Sequence, residues 1–136
     1  MNLKKYTGIA FSVMALALIS SCKKDDDNKT PSTNKRNIKY EIKGNYTGHL
    51  NVVYNDNVNG NTTLTVTTLP WTKEVTYASN VVGIGIGGNT ASSRVGQAGQ
   101  NIVLTIYAGG TIARTTNATA DANGLINLPT LTYIIP

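Results

Sequence analysis

The segment IKYEIK, residues 38–43, alternates between apolar and charged side chains. Ile38, Tyr40 and Ile42 share one parity, and the positions between and after them are all charged. Successive side chains of a β-strand point to opposite faces of a sheet, so a period of two is typical of a strand with one buried face. The segment therefore predicts a half-buried strand in a sheet that packs on a core.

Further segments rich in β-branched, aliphatic and aromatic residues follow, and no window after Cys22 sustains a helical apolar period. The additional predicted strands are HLNVVYN (49–55), TTLTVTTL (62–69), WTKEVTY (71–77), VVGIGIG (81–87), NIVLTIYA (101–108), TIART (111–115) and LTYII (131–135). Turn residues separate them, as in NDNVNGN, AGG and DANG. About seven or eight short strands in about 100 residues are typical of a β-sandwich or a closed barrel. We expect an all-β fold: a single small antiparallel β-sandwich, immunoglobulin-like, over residues 38–136.

The alternating positions also predict the core of this domain. The inward residues are expected to be Ile38, Tyr40, Ile42, Leu50, Val52, Leu64, Val66, Trp71, Val75, Ile84, Ile86, Ile102, Leu104 and Ile106. They are enough for one hydrophobic core, and a domain of this size folds without disulfides. This agrees with a chain that carries a single cysteine.

Residues 1–21 have the pattern of a lipoprotein signal peptide. Lys4 and Lys5 precede GIAFSVMALALI, an apolar stretch within the ~7–15 residues of a signal peptide and short of the ~18 that suggest a spanning helix. The four residues ISSC, which begin with the last isoleucine of this stretch, resemble the bacterial lipobox, in which the cysteine thiol accepts a diacylglycerol. Cys22 is therefore predicted to be the lipid attachment site, and its acyl chains are expected to hold the protein on a membrane. The alternative is a free cysteine after an ordinary signal peptide.

Residues 22–37 are predicted to be the lipidated cysteine and a flexible tether. After Cys22 this segment contains one proline and no aliphatic or aromatic residue, so it cannot bury enough apolar surface to offset the entropy of ordering. Fully extended, the residues after Cys22 span at most about 50 Å. The predicted domain therefore stands close to the membrane.

The first tether residues resemble known sorting signals. Lys23 stands where Asp would retain a lipoprotein in the inner membrane, which favours the outer membrane. The run KKDDD also resembles the export tag of surface lipoproteins in Bacteroidetes-type bacteria; it comprises Lys23, Lys24, Asp25, Asp26 and Asp27. We expect an outer-membrane lipoprotein at the cell surface. The alternative is a periplasm-facing protein in which these charges are a solvated spacer.

The net charge of +5 is concentrated near the start of the chain. From Asn37 onward, five basic residues stand against four acidic ones, a net charge of +1. Electrostatic binding of nucleic acid needs a basic stripe that neutralises several phosphates. Scattered charges do not provide one, so no nucleic-acid partner is expected.

The stretch GIGIGG formally matches the dinucleotide-binding fingerprint through Gly83, Gly85 and Gly88. That fingerprint requires a following helix and an acidic residue about 20 positions on. The following residues have no helical period, and no Asp or Glu lies between Glu74 and Asp121. We interpret the alternating glycines as leaving one strand face bare, with a close backbone approach, a bulge or a shallow groove.

Two further patterns bear on metal binding and catalysis. Asn55, Asn57 and Asn59 have the spacing of a calcium loop, but too few carboxylates accompany them, so a hairpin is expected and no metal. His49 is the chain's one histidine, which excludes an ordinary zinc site. Nucleophilic catalysis would need His49 to pair with Ser79, Ser92 or Ser93, and no nucleophile elbow surrounds those serines. We expect no catalytic residues, no enzymatic activity and no cofactor.

The most distinctive stretch of the domain is TTLPWTKEVTY. Pro70 cannot donate to a strand ladder and biases Leu69 towards extended geometry. Leu69, Pro70 and Trp71 are therefore predicted to form a corner between strands. We expect Trp71 to turn onto the core; the alternative is an exposed aromatic that binds a ligand.

The segments IKYEIKGNYTGHLNVVYND, LPWTKEVTY, VVGIGIGG and NIVLTIYAGGTIART together resemble the domain of the mycobacterial membrane protein small (MmpS) family and its lipid-anchored relatives in Bacteroidetes-type bacteria. The resemblance covers roughly residues 38–116, and its most specific part is the corner at Leu69, Pro70 and Trp71. It implies a small β-sandwich outside the inner membrane and an accessory role beside lipid or siderophore exporters. A lipobox in place of a transmembrane helix and the apolar end LINLPTLTYIIP depart from the family, so the fold transfers more directly than the transport partnership.

Two functions follow from this reasoning. The first is a non-enzymatic interaction module on an outer-membrane lipoprotein, which contacts another envelope protein such as an export system. The alternative is a surface-exposed module that binds a glycan or a lipid through an exposed Tyr or Trp near the glycine-rich strand. An exposed aromatic platform would distinguish them. The identity of the partner, the oligomeric state and the pairing of the last strand are left open.

Overall fold

The computed structural model describes residues 34–136, and in this part of the chain the fold is all-β without a helix. The strands are β1 (Asn37–Gly44), β2 (Leu50–Asp56), β3 (Gly60–Val66), β4 (Trp71–Thr76), β5 (Gly83–Thr90), β6 (Asn101–Ala108), β7 (Thr111–Thr119) and β8 (Asn127–Ile134). Each predicted strand is present, so the all-β prediction is confirmed. The bounds differ most at β7, which continues past the predicted Thr115 to Thr119, and at β8, which begins at Asn127 and not at the predicted Leu131.

The strands form two four-stranded antiparallel sheets that pack as a β-sandwich, as predicted. Sheet A has the order β4-β1-β6-β7 and sheet B has the order β3-β2-β5-β8. Only the β2–β3 and β6–β7 hairpins stay within a sheet; the other connections cross between sheets. The hairpin turns use glycines with positive φ, such as Gly60 at 68° and Gly109 at 59°, which residues with a Cβ rarely adopt.

The core lies between the two inner faces. The parity that begins with Ile38, Tyr40 and Ile42 points inward, and these side chains are buried. The other predicted core residues are buried as well, except for three that are partly buried and pack against the core: Leu64, Trp71 and Val75. The predicted list omitted Tyr54 and Leu128, which are buried within β2 and β8. It also omitted buried residues in loops and at strand ends, where alternation does not apply: Tyr46, Tyr77, Ile126 and Ile135.

The sandwich has two ends, which we name by their loops. The tether end comprises residues 34–36, 57–59, 77–82, 109–110 and 135–136. The opposite end comprises residues 45–49, 67–70, 91–100 and 120–126. The corner at Leu69 and Pro70, whose peptide bond is cis, therefore lies at the opposite end.

The last strand pairs within its own sheet. β8 is hydrogen-bonded to β5 and lies against β7 of the other sheet, so these two edge strands meet along one side of the sandwich. Pro129 lies within β8, which agrees with an edge position because proline cannot donate to a further strand. β8 therefore completes sheet B as its edge strand.

Several predictions concern residues outside the described part. The signal peptide over residues 1–21, the lipid attachment site at Cys22 and the sorting signal from Lys23 to Asp27 all precede residue 34. Asn34, Lys35 and Arg36, which were assigned to the tether, form a turn before β1. Within residues 34–136, no helix has the length and apolar character needed to cross a bilayer.

Candidate functional site

The outer face of sheet B carries a groove of about 540 Å³ whose floor is the glycine-rich strand β5. Ile84 and Ile86 point inward and are buried, so the alternate positions Gly83 and Gly85 face outward, whereas Gly87, at the following irregularity, is buried against Thr130. Without side chains, Gly83 and Gly85 leave a bare strip along the strand. The register of β5 against β8 shifts between Ile86 and Gly88, which agrees with the predicted bulge.

The neighbouring strands supply the walls of the groove. Val53 and Asn55 rise from β2 on one side, and Thr130, Thr132 and Ile134 rise from β8 on the other. Because adjacent strands lie about 4.8 Å apart, the two walls are about 10 Å apart. No charged side chain lines the groove within the described residues, so its surface combines amide, hydroxyl and aliphatic groups.

Packing does not require glycine at the centre of this floor. A Cβ added at Gly85 would lie 3.5 Å from the Leu131 carbonyl oxygen, which is ordinary van der Waals contact, and one at Gly83 would lie 3.4 Å from the Ile134 Cδ1 atom. At Gly88, by contrast, a Cβ would overlap the backbone carbonyl oxygen of Asn51. Glycine inside a strand weakens folding by roughly 0.5–1 kcal/mol relative to alanine. At Gly83 and Gly85, residues with side chains would therefore be compatible with the fold, and glycine leaves the space above the strand open.

Asn55 is held firmly in its wall. Its Oδ1 atom accepts a hydrogen bond of 2.5 Å from the Gly85 amide, and its Nδ2 donates to Asn61 Oδ1 at 2.6 Å. Its backbone carbonyl accepts from the Tyr77 hydroxyl, which in turn accepts from Tyr40 at 2.7 Å. These bonds join the core of sheet A to the wall of the groove on sheet B.

Burial dominates the titration of the two tyrosines in this chain of hydrogen bonds. It raises the pKa of Tyr40 far above its usual value, and the hydrogen bond that Tyr40 donates to Tyr77 raises it further. Burial also raises the pKa of Tyr77, against the opposing effect of the hydrogen bond from Tyr40. Both hydroxyls therefore stay protonated at neutral pH and act as donors.

On the outer face of sheet A, charged and aromatic side chains cover the centre, whereas the centre of the outer face of sheet B has only glycines. Glu41 is buried at its centre, where it contacts Lys43 Nζ at 3.1 Å, Lys39 Nζ at 3.5 Å and the Tyr107 hydroxyl at 2.9 Å. The Lys39 ammonium also lies 4.2 Å from the centre of the Tyr107 ring. Burial raises the pKa of the Glu41 carboxyl, but Lys43, Tyr107 and Lys39 together outweigh it, so the pKa is lowered. The four side chains satisfy one another's charges and hydrogen bonds.

The structure brings together the histidine and one of the serines considered for catalysis. His49 Nδ1 lies 3.0 Å from Ser93 Oγ at the opposite end of the sandwich. The described residues give His49 no carboxylate partner, and its other hydrogen bonds are backbone contacts to Arg94 and Ala91. A nucleophile–base pair needs a third group that orients the base. The contact between His49 and Ser93 joins the loops of residues 45–49 and 91–100.

The glycine fingerprint and the residues with calcium-loop spacing lie in a strand and in a hairpin turn. The fingerprint glycines lie within β5, and no helix follows them in the described chain. The residues with calcium-loop spacing form the β2–β3 hairpin, in which Asp56 Oδ1 accepts from the Val58 amide at 2.8 Å. No cluster of His, Cys, Asp or Glu suited to a metal occurs among residues 34–136.

The corner residues Leu69, Pro70 and Trp71 lie away from the groove. Trp71 pairs with Ile42, points inward, and places its ring 6.3 Å from that of Tyr54. Leu69 also packs against the core. No aromatic side chain in the described part of the chain is fully exposed, so the aromatic platform that would favour a glycan site is not found there.

The sequence indicated the floor of the groove but not its walls. The alternating glycines signal a bare strand face, whereas Val53, Asn55 and Thr132 become neighbours of that face only through strand pairing. Nothing in their local sequence distinguishes them from other solvent-facing strand residues. Knowledge of the sheet order would have been needed to find them.

No family model, curated protein or solved structure matches this chain. The functional proposal therefore depends on the groove, the tether end and the sequence of residues 1–33.

Proposed function

We propose that this chain is a lipid-anchored outer-membrane protein, attached through Cys22, whose β-sandwich is a non-enzymatic interaction module for another envelope protein. The observation that carries the proposal is the groove of sheet B, left bare by glycines at positions where the fold has room for side chains. An arrangement that weakens the strand without a packing reason is best explained by a ligand that occupies the space. Surface display is proposed from the KKDDD run after Cys22.

The lining of the groove favours an extended, uncharged polypeptide segment as the bound part of the partner. A width of about 10 Å, two strand spacings, leaves room for one extended segment lying along β5. Val53 offers apolar contact, while the amide of Asn61 and the hydroxyls of Thr130 and Thr132 offer hydrogen bonds. Stacking on sugars would instead need an exposed ring, so a polypeptide is favoured over a glycan. By resemblance to the MmpS family, an export protein is the first partner to test.

Membrane attachment is tested with a Cys22→Ala variant. The native chain is expected in the outer-membrane fraction and the variant in the soluble fraction, because acyl chains at Cys22 are the proposed anchor. A non-penetrating protease added to intact cells then shows on which side of the outer membrane the domain lies. Cleavage of the native chain supports surface display, while cleavage only after the outer membrane is opened contradicts it and favours a periplasm-facing accessory role.

The groove is tested by site-specific photo-crosslinking in cells. A photoreactive residue at Thr132, in the groove wall, is compared with one at Thr72, an exposed strand position on the outer face of sheet A. We expect a defined adduct with one envelope protein from position 132 and none from position 72. The Gly85→Val substitution, which fills the floor, should abolish the adduct. Equal adducts at both positions, or an adduct that survives Gly85→Val in a folded protein, would contradict the proposal.

A further inference from the structure

The exposed aliphatic side chains of the domain are concentrated at the tether end. At this end or beside its loops, the large exposed residues are Val58 (85 % exposed), Val82 (71 %), Ile112 (64 %) and Ile134 (71 %). At the opposite end, Val95 and Leu125 are only 49 % and 45 % exposed. Ile134 projects from the outer face of sheet B and Ile112 from that of sheet A, so the group surrounds one end of the sandwich. Strongly exposed aliphatic side chains gathered in one region are a feature of interaction sites. We call the four residues at the tether end the apolar rim.

Hydrogen bonds hold the segments of the apolar rim together. Asn57 Oδ1 accepts from the Ala78 amide at 3.1 Å, which ties the β2–β3 hairpin to the loop that carries Val82. The Val82 carbonyl accepts from the Ile135 amide at 3.0 Å, which ties that loop to the end of β8. The end of β8 lies beside the start of β7, where Ile112 is located. The rim therefore crosses the tether end from the β2–β3 hairpin to β7.

The chain that precedes the domain leaves from this same end. Arg36 Nη1 donates to the carbonyls of Ala78 at 2.7 Å and Val81 at 2.9 Å, and Lys35 Nζ donates to Thr111 Oγ1 at 3.1 Å. Residues 34–36 are thus fastened beside the apolar rim. Twelve residues then lead back from Thr33 to Cys22. That length spans at most about 40 Å, and a flexible chain of this size averages about 20 Å end to end.

We infer that the tether end docks on the surface of the lipid bilayer that holds Cys22, with the apolar rim inserted at the boundary between headgroups and acyl chains. This inference rests on the proposed lipid anchor. The transfer of aliphatic side chains from water into that boundary is favourable, and Lys35 adds a positive charge that is attracted to anionic headgroups. Asp56, the acidic residue of this region, is engaged by the Val58 and Asn59 amides. A short tether keeps the rim at high effective concentration near the lipid, so a weak contact is sufficient.

Docking of this kind orients the groove. β5 runs from the tether end to the opposite end, so the groove stands upright on the membrane. Its Gly83 and Ile134 end lies at the lipid surface, and its Gly87 end lies farther out. A partner segment that follows the groove would approach along the membrane normal.

The test uses the full lipidated chain in phospholipid vesicles. Val58→Cys, in the apolar rim, is compared with Val95→Cys, an exposed valine at the opposite end. Because acylation blocks the Cys22 sulfur, an environment-sensitive fluorophore labels only the introduced thiol. Nitroxide groups carried on the lipid then report contact with the bilayer. We expect a blue shift and loss of emission at position 58, and neither at position 95.

The outcomes are distinguishable. If the native chain fails to float with the vesicles, or if its Cys22 takes up the label, the lipid anchor itself is wrong and the docking inference falls with it. If the chain floats but position 58 is not quenched, or is quenched no more than position 95, the anchor stands and the docking is wrong. A third outcome is a blue shift at position 58 that increases with protein density and is not accompanied by quenching from the lipid nitroxides. It would overturn the inference in favour of contact with a second copy of the chain.

Discussion

The two outer faces of the sandwich differ in how they use their central strands. On sheet A, the centre is filled by Glu41, its two lysines and Tyr107, which satisfy one another's charges and hydrogen bonds. On sheet B, the corresponding centre is the glycine floor of β5, bordered by uncharged walls. Both faces are solvent-facing sides of antiparallel sheets with the same kind of buried inner side.

This difference shows which face is available to a ligand. A partner that approached the centre of sheet A would have to break ion pairs or desolvate charged groups, which is unfavourable unless new partners replace them. A partner in the groove of sheet B would displace water from backbone, amide, hydroxyl and aliphatic groups without meeting a charge. The predictions below test this contrast, from the largest expected effect to the smallest.

The sharpest contrast within β5 is between Gly88 and Gly85. We expect Gly88→Ala to lower the free energy of unfolding by about 3 kcal/mol, the upper end of what overpacking usually costs, because its Cβ would overlap the Asn51 carbonyl. Chemical denaturation measures this directly. If Gly88→Ala were as stable as the native chain, the distinction between a structural glycine and a groove glycine would be lost.

The second prediction concerns the hydrogen bonds that support the groove wall. Tyr77→Phe removes the donor to the Asn55 carbonyl and the acceptor of the Tyr40 hydroxyl. Leaving buried polar groups unpaired should lower the free energy of unfolding by about 2 kcal/mol. Tyr133→Phe is the matched control, since the Tyr133 hydroxyl makes no hydrogen bond within residues 34–136, and it should leave stability nearly unchanged.

The same tyrosines predict a loss of stability in alkali. Their pKa values are raised in the folded state, so their contribution is complete below the pKa of the unfolded chain. Above about pH 10, the unfolded chain loses these protons while the folded one retains them, so stability falls as the pH rises. Denaturation curves between neutral and alkaline pH measure the effect. A smaller slope is expected for Tyr77→Phe, and an unchanged slope would contradict the assignment.

The third substitution tests the filled face of sheet A. Glu41→Gln should lower the free energy of unfolding at neutral pH by about 1 kcal/mol, because the lysines lose the carboxylate while Tyr107 keeps an oxygen acceptor. Glu74→Gln, on the neighbouring exposed strand position, is the control and should be neutral.

Glu41 also predicts acid sensitivity. Its pKa is lowered by folding, so its contribution is present above the unfolded value of about 4.3 and is lost as the pH falls through the lower folded value. Stability measured from neutral pH to about pH 2 should decline less steeply below about pH 4 in Glu41→Gln than in the native chain. Equal declines would show that other carboxylates dominate. Binding in the uncharged groove should not change with pH over this acid range while the domain stays folded.

The smallest expected effect is that of Gly85→Ala. With room for a Cβ and one fewer glycine to order, the variant should be as stable as the native chain or more stable by up to about 1 kcal/mol. Partner binding should nevertheless weaken, because the methyl group rises into the groove. A destabilised Gly85→Ala would indicate that this glycine serves the fold and would remove the main support for a binding role.

Much of the fold followed from the sequence because alternation acts locally. Ile38, Tyr40 and Ile42 were predicted to face the core from three positions of one strand, and they do. Tyr46 and Ile126 were not predicted, because they are buried by contacts between loops that are distant in sequence. Periodicity contains no information about such contacts.

For the candidate site, the bare floor predicted at the alternating glycines is found at Gly83 and Gly85, whereas Gly87 is buried at the irregularity of β5, where a Cβ would crowd Thr130. The amino-acid sequence by itself determined the strands, the inward parity and the absence of a charged groove floor, while the lipid anchor at Cys22 stays a prediction. Tertiary structure alone decided that β2 and β8 flank β5, so that Asn55 and Thr132 become walls, and that the apolar rim gathers at the end of the sandwich where residues 34–36 precede β1. The reason is physical: side-chain parity is set by neighbours in the chain, whereas strand order is set by how two whole sheets bury their inner faces together.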